Sequence, residues 1–135
     1  MENTSLHRDD NVSKISIIID YQIKSFSELF YYCECIRSIK FKKFYRNNIT
    51  DMSGLFSRCS SLKELNLNNF NTNNVTNMSG MFCECSSLKE LILTNFNTNN
   101  ITFMFGMFSG CSDYLRRKIK LENKNIKDEA FLNDD

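Results

Sequence analysis

The chain has 135 residues, is 41% hydrophobic and carries a formal net charge of +1, the composition of one ordinary globular domain. A balance this close to zero argues against a dedicated binder of nucleic acid or of anionic membrane. The sole histidine, His7, lies in a polar leader, and there is no Gly-rich phosphate loop. Nucleophile pairs built on histidine, and nucleotide chemistry, therefore lack the residues they need.

Residues 1–13 read as a polar, disordered leader without the apolar stretch of a secretory signal. The apolar run at 15–19 is far below the ~20 residues of a membrane span. Ile15 and Ile18 stand 26 residues before Phe41 and Phe44, so a strand is expected at 14–18. From Ile23 onward that spacing of 26 governs the chain. Ile49, Val75 and Ile101 are in step, as are Met52, Met78 and Met104, then Phe56, Phe82 and Phe108, then Cys59, Cys85 and Cys111. An earlier unit keeps the register with changed residues, among them Ile23, Phe26, Phe30, Cys33 and Ile39. Repetition at this period means stacked units, none of which can bury its apolar side alone.

Within a unit, Val75, Met78, Phe82 and Cys85 share one face of a helix, because residues three and four apart lie above one another. Short helices are therefore predicted near 50–59 and 76–85, capped by the hydroxyls of Thr50, Thr76 and Thr102. Gly54, Gly80 and Gly106 fall inside them, where glycine costs about 1 kcal/mol relative to alanine. Close approach of neighbouring helices is the expected reason. Leu62-x-x-Leu65-x-Leu67 and Leu88-x-x-Leu91-x-Leu93 then predict parallel strands around 63–67 and 89–93. The Asn-rich tract 95–100 turns the chain back, since asparagine tolerates left-handed conformations and bonds its own backbone. The expected fold class is α/β: a solenoid over 14–112, its parallel sheet on the concave side and its short helices on the convex side.

After Cys111 the strand signature lapses, with Tyr114 and Arg117 where earlier units have leucine. Ser112-Asp113 predicts a helix start, with Leu115 and Ile119 on one face and basic residues towards the end. Residues 113–135 read as a carboxyl-terminal cap with an acidic tail. In the last unit Phe103 and Phe105 replace polar residues, and Ile126, Ala130, Phe131 and Leu132 are expected to cover them.

Cys33, Cys59, Cys85 and Cys111 share one slot of the repeat and read as small core hydrophobes. Helices ~8–10 Å apart would hold their Cα atoms beyond the ~7 Å a disulfide can span. The pairs Cys33/Cys35 and Cys83/Cys85 lack the common zinc spacing. No disulfide, metal or cofactor is expected.

The repeat residues resemble the BspA-like leucine-rich-repeat family in its 26-residue variety, Asn-Val-Thr-x-Met-x-x-Met-Phe followed by Cys-x-x-Leu and Leu-x-Leu. The match is carried by 48–56 and 74–82, then by 59–67 and 85–93. This resemblance implies a non-enzymatic interaction module. Residues between the core leucines should face the concave side in three columns. Ser38, Glu64 and Glu90 form the first, Lys40, Asn66 and Ile92 the second, and Lys42, Asn68 and Thr94 the third. Arg116, Lys118 and Lys120 would extend them. The candidate contacts for a protein ligand are Lys40, Lys42, Glu64, Asn66, Asn68, Glu90, Ile92 and Thr94, with no nucleic acid and no membrane span. One alternative is a cell-surface adhesin exported by an unrecognised route. Another is a structural assembly unit that forms homo-oligomers through the ends of the stack. With no signal or anchor in the chain, an intracellular location is expected ahead of the cell surface.

Overall fold

The structure, a computed structural model, describes residues 23–41 and 47–133. The leader, the strand expected at 14–18 and the candidate contact Lys42 lie outside that range. Within it, strand β1 (Ser38–Lys40) pairs in parallel with β2 (Glu64–Asn66). Their register, Ser38 with Glu64 and Lys40 with Asn66, is the repeat spacing itself. The same step joins Ser25 to Asp51, Asp51 to Asn77 and Asn77 to Phe103 through isolated parallel bridges. Successive units therefore lie side by side as like coils. No strand forms at 89–93, although Leu91 and Leu93 are buried. A helix stands where the next strand would flank this segment, which leaves it without a ladder partner on that side.

The short helices expected at 50–59 and 76–85 are replaced by tandem turns. The N–H groups of Leu55, Ser57 and Cys59 donate back three residues to the carbonyls of Met52, Gly54 and Phe56. Those of Met52, Gly54, Phe56 and Arg58 cross instead to Asn77, Ser79, Met81 and Cys83, at 2.8–2.9 Å. A helix keeps its donors to itself, whereas here every second donor is given to the next coil. The break comes from left-handed residues placed four apart: Gly54 and Arg58, at φ 60° each, then Gly80 and Glu84, at 60° and 56°. The repeated glycines thus serve backbone conformation rather than helix contact, and Glu28 adopts the same geometry at φ 56°. Thr50 and Thr76 cap nothing. Their hydroxyls donate to the carbonyls of Lys24 and Thr50 in the preceding coil, at 3.5 and 3.2 Å. The asparagines do bond locally, Asn71 and Asn97 accepting from the N–H groups of Asn73 and Asn99 at 3.0 Å each. None of those described has a positive φ.

The core is a set of columns. Phe30, Phe56, Phe82 and Phe108 stack ring on ring, with centroids 5.7, 5.7 and 5.6 Å apart. Beside them Cys59, Cys85 and Cys111 each donate a thiol proton to the carbonyl of Phe30, Phe56 or Phe82 at 3.1 Å. The wall carrying the cysteines is hydrogen-bonded backbone to backbone, so the helix spacing expected to keep these residues apart does not apply. Among the described residues no two cysteines are joined in a disulfide.

Helix α1 (Asp113–Glu122) starts where Ser112-Asp113 predicts it, the Ser112 hydroxyl accepting from the Leu115 N–H at 3.3 Å. Leu115 and Ile119 are fully buried beneath it. A 3₁₀ turn, Asp128–Phe131, then lies along the last coil. Its Glu129 and Ala130 carbonyls accept from Gly106 and Phe108 at 3.0 and 2.8 Å. Arg116 donates to the Phe131 carbonyl from the helix side. This segment satisfies the Gly106 and Phe108 amides of the coil but does not cover the two phenylalanines expected beneath it. Phe103 stays 59% exposed and Phe105 44%. Ala130 and Phe131 follow the inward column of Phe108, whereas Phe103 and Phe105 belong to the outward columns of Asn77 and Ser79.

Candidate functional groove

Alternation along β1 and β2 turns Ser38, Lys40, Glu64 and Asn66 outward and leaves Ile39 and Leu65 half-buried. A shallow groove of about 340 Å³ forms over them. Six of the eight candidate contacts line it: Lys40, Glu64, Asn66, Asn68, Glu90 and Ile92. Lys63 and Lys89 also reach it. Sequence reasoning passed over these two, although each immediately precedes a candidate glutamate. Ile92 is 62% exposed and stands among the lysine, glutamate and asparagine side chains of the groove, whose floor includes Ile39, Leu65 and Leu67. Thr94 is not with the others. It lines a separate crevice of about 390 Å³ between the last coils and the end of α1. Lys42 lies outside the described residues.

Part of this surface is already committed to the fold. The Asn66 side chain accepts from the Asn68 N–H at 3.0 Å, and the Asn68 carbonyl accepts from the Asn95 side chain at 2.9 Å. These bonds fix the floor and leave Lys40, Glu64 and Ile92 as groups turned to solvent. The columns do not run on through Arg116, Lys118 and Lys120, because all three ride on α1. The Lys118 ammonium lies 3.9 Å from the Glu90 carboxylate. Lys120 pairs with Asp128 at 2.7 Å, and its hydrogen bond and charge hold that carboxyl below the usual range.

Nothing in the groove pairs a nucleophile with a base. Burial, and then the neighbouring Cys33, push the Cys59 thiol up to about 12. Burial likewise pushes Cys111 up to about 12 and raises Cys85. Such thiols stay protonated and unreactive at neutral pH. Among the described residues no group of three His, Cys, Asp or Glu is placed to hold a metal ion. No helix among them is long and apolar enough to cross a membrane.

A family model described as "Mycoplasma protein of unknown function, DUF285" matches residues 24–132. No curated protein matches the chain. Among solved structures, a leucine-rich repeat protein from Bacteroides ovatus ATCC 8483 is similar at 20% identity with a TM-score of 0.44. The likeness covers 72% of this chain and 24% of that one.

Proposed function

The chain belongs to that family of unknown function, and for it we propose a non-enzymatic role as a protein-interaction module of the BspA-like leucine-rich-repeat kind. In this reading the coils form a short solenoid, and the groove over β1 and β2 is its recognition face. One observation carries the proposal: six residues from three successive repeats, the exposed Ile92 among them, line a single groove. An apolar side chain ringed by charges of both signs suits a protein surface with an apolar anchor and a polar rim. Glu64 and Lys40 would set orientation by charge, and Ile92 would supply the buried contact.

The test is comparative capture. Immobilised protein and a Glu64→Lys/Ile92→Asp variant of equal melting temperature are presented with the same source lysate, and retained proteins are quantified. A partner that uses the groove is retained by the first and lost by the second. If every retained protein binds both equally, the groove is not the recognition face.

A further inference from the structure

We propose that the groove over β1 and β2 takes a segment of a partner protein in which separated carboxylates accompany an apolar side chain. This rests on the reading of the groove as the recognition face and adds the chemistry of its occupant. The argument starts from charge. Lys40, Lys63 and Lys89 line the groove with Glu64 and Glu90, and Lys118 stands beside Glu90 at 3.9 Å. Four ammonium groups thus face two carboxylates, a local +2 on a chain whose total is +1.

The arrangement of these charges matters as much as their number. Lys63 and Lys89 are one repeat apart, as are Glu64 and Glu90. Their coils lie side by side, the Ser86 hydroxyl donating to the Ser60 carbonyl at 3.5 Å just before them. Like charge is therefore set next to like charge, with backbones about 4.8 Å apart, an arrangement that costs stability. Lys118 relieves the glutamates by pairing with Glu90. Nothing relieves the lysines. Among the described residues Lys40, Lys63 and Lys89 have no ion pair. A repeated cost with no internal return points to function. A carboxylate brought between Lys63 and Lys89 would supply what the fold withholds.

The remaining groups narrow the occupant. Glu64, also without an ion pair among the described residues, interrupts the basic surface and would repel a continuous run of phosphates. Separated carboxylates on a peptide avoid it, whereas a nucleic acid strand would not. Ile92, exposed in the same groove, suits an apolar side chain between them. The acidic turn of a second copy is already engaged, because Asp128 and Glu129 pair with Lys120 and Lys127 at 2.7 and 3.8 Å. Complementary charge of this kind sets orientation and the rate of encounter, and salt screens it.

A phage-displayed library of short linear peptides, selected on the full chain, supplies the probe. Selected peptides should be rich in Asp and Glu with an apolar residue among them. Their binding should weaken about tenfold or more in Lys63→Glu/Lys89→Glu, partly in Lys63→Gln/Lys89→Gln, and steadily as salt is raised. Both side chains are exposed, so the variants keep the fold. Reversal of two other unpaired cations, Arg117→Glu/Lys124→Glu, should leave binding unchanged. NMR shifts on adding peptide should fall on the Leu65, Asn66 and Ile92 amides. Peptides that move those amides but are not acidic, or that ignore the lysine reversal, would overturn this proposal and leave the groove as the recognition face. Peptides that move other amides only, or a library without binders, would overturn both. Two further results would overturn the acidic protein segment as occupant. One is displacement of the peptides by polyuridylate; the other is self-association of the wild type that the lysine reversal abolishes.

Discussion

Phe131 stacks on Phe108 with 5.4 Å between ring centroids and 22° between ring planes. It thereby adds a fifth member to the aromatic column from outside the repeat. The 3₁₀ turn works as a substitute coil, supplying a ring to the core and two carbonyls to the open edge. Deleting the chain from Asn123 onward removes the ring and both acceptors and uncovers the face of Phe108. A lower melting temperature or new concentration-dependent association is expected. Truncated protein unchanged in both would show that the turn caps nothing. The milder Phe131→Ala should cost about 2 kcal/mol in urea unfolding, less than a full core Phe→Ala because the ring is half-buried.

The stacking register was open to view in the residues, because Met52, Met78 and Met104 and their companions can recur at one interval only if their coils lie side by side. Turns were misread as helices because apolar residues three and four apart are common to both. In tandem turns that spacing returns each side chain to the core after a bend rather than after a helical turn. The sign of the difference was Gly54, Gly80 and Gly106, a residue that helices avoid and left-handed turns favour. Groove residues were legible from the alternation of strands at Glu64 and Asn66. Carrying the columns on to Lys118 failed because the strand pattern had already lapsed at Tyr114. The exposure of Phe103 could not be read from hydropathy, which reports a preference for burial but not which way a terminal coil faces.

Left-handed residues give a paired test. Glu28 holds φ 56° in the slot that glycine fills in later coils. Such a conformation costs an L-residue about 1–2 kcal/mol, partly offset by the greater freedom of glycine in the unfolded chain. Glu28→Gly should therefore stabilise by about 0.5–1 kcal/mol. Gly110→Ala should do the reverse. Gly110 has φ 69°, and an added Cβ would lie 2.9 Å from the Glu84 Cγ and 3.2 Å from its Cα. A loss of about 1–3 kcal/mol is expected from strain and overlap together. Urea midpoints of the two variants shifting in the same direction would contradict this account.

The thiol column predicts a dependence on alkaline pH. Burial raises Cys59 and Cys111 to about 12 in the folded chain, against ~8.5 for a free thiol. The folded protein thus keeps protons that the unfolded chain releases. Stability from this source is whole below ~8.5 and is lost as pH rises towards the folded values. Urea midpoints should hold steady between neutrality and pH ~8, then fall, and the fall should be shallower in Cys59→Ala and Cys111→Ala. A slope that both variants leave unchanged would assign the effect to other groups. In the folded state iodoacetamide should modify the exposed Cys35 first and spare Cys59, Cys85 and Cys111.

Phe103 offers a test of the turn that the last coil leaves unbonded. Asn77, one coil earlier, holds the Ser79 N–H at 3.0 Å through its side chain. Phe103→Asn should restore that bond to the Phe105 N–H and remove an exposed ring. A net local hydrogen bond is worth about 0.5–1.5 kcal/mol, so the variant should unfold at higher urea than wild type. A variant that lost stability would mean that the Phe103 ring makes a contact the fold depends on. The ring would then belong to the packing of the last coil.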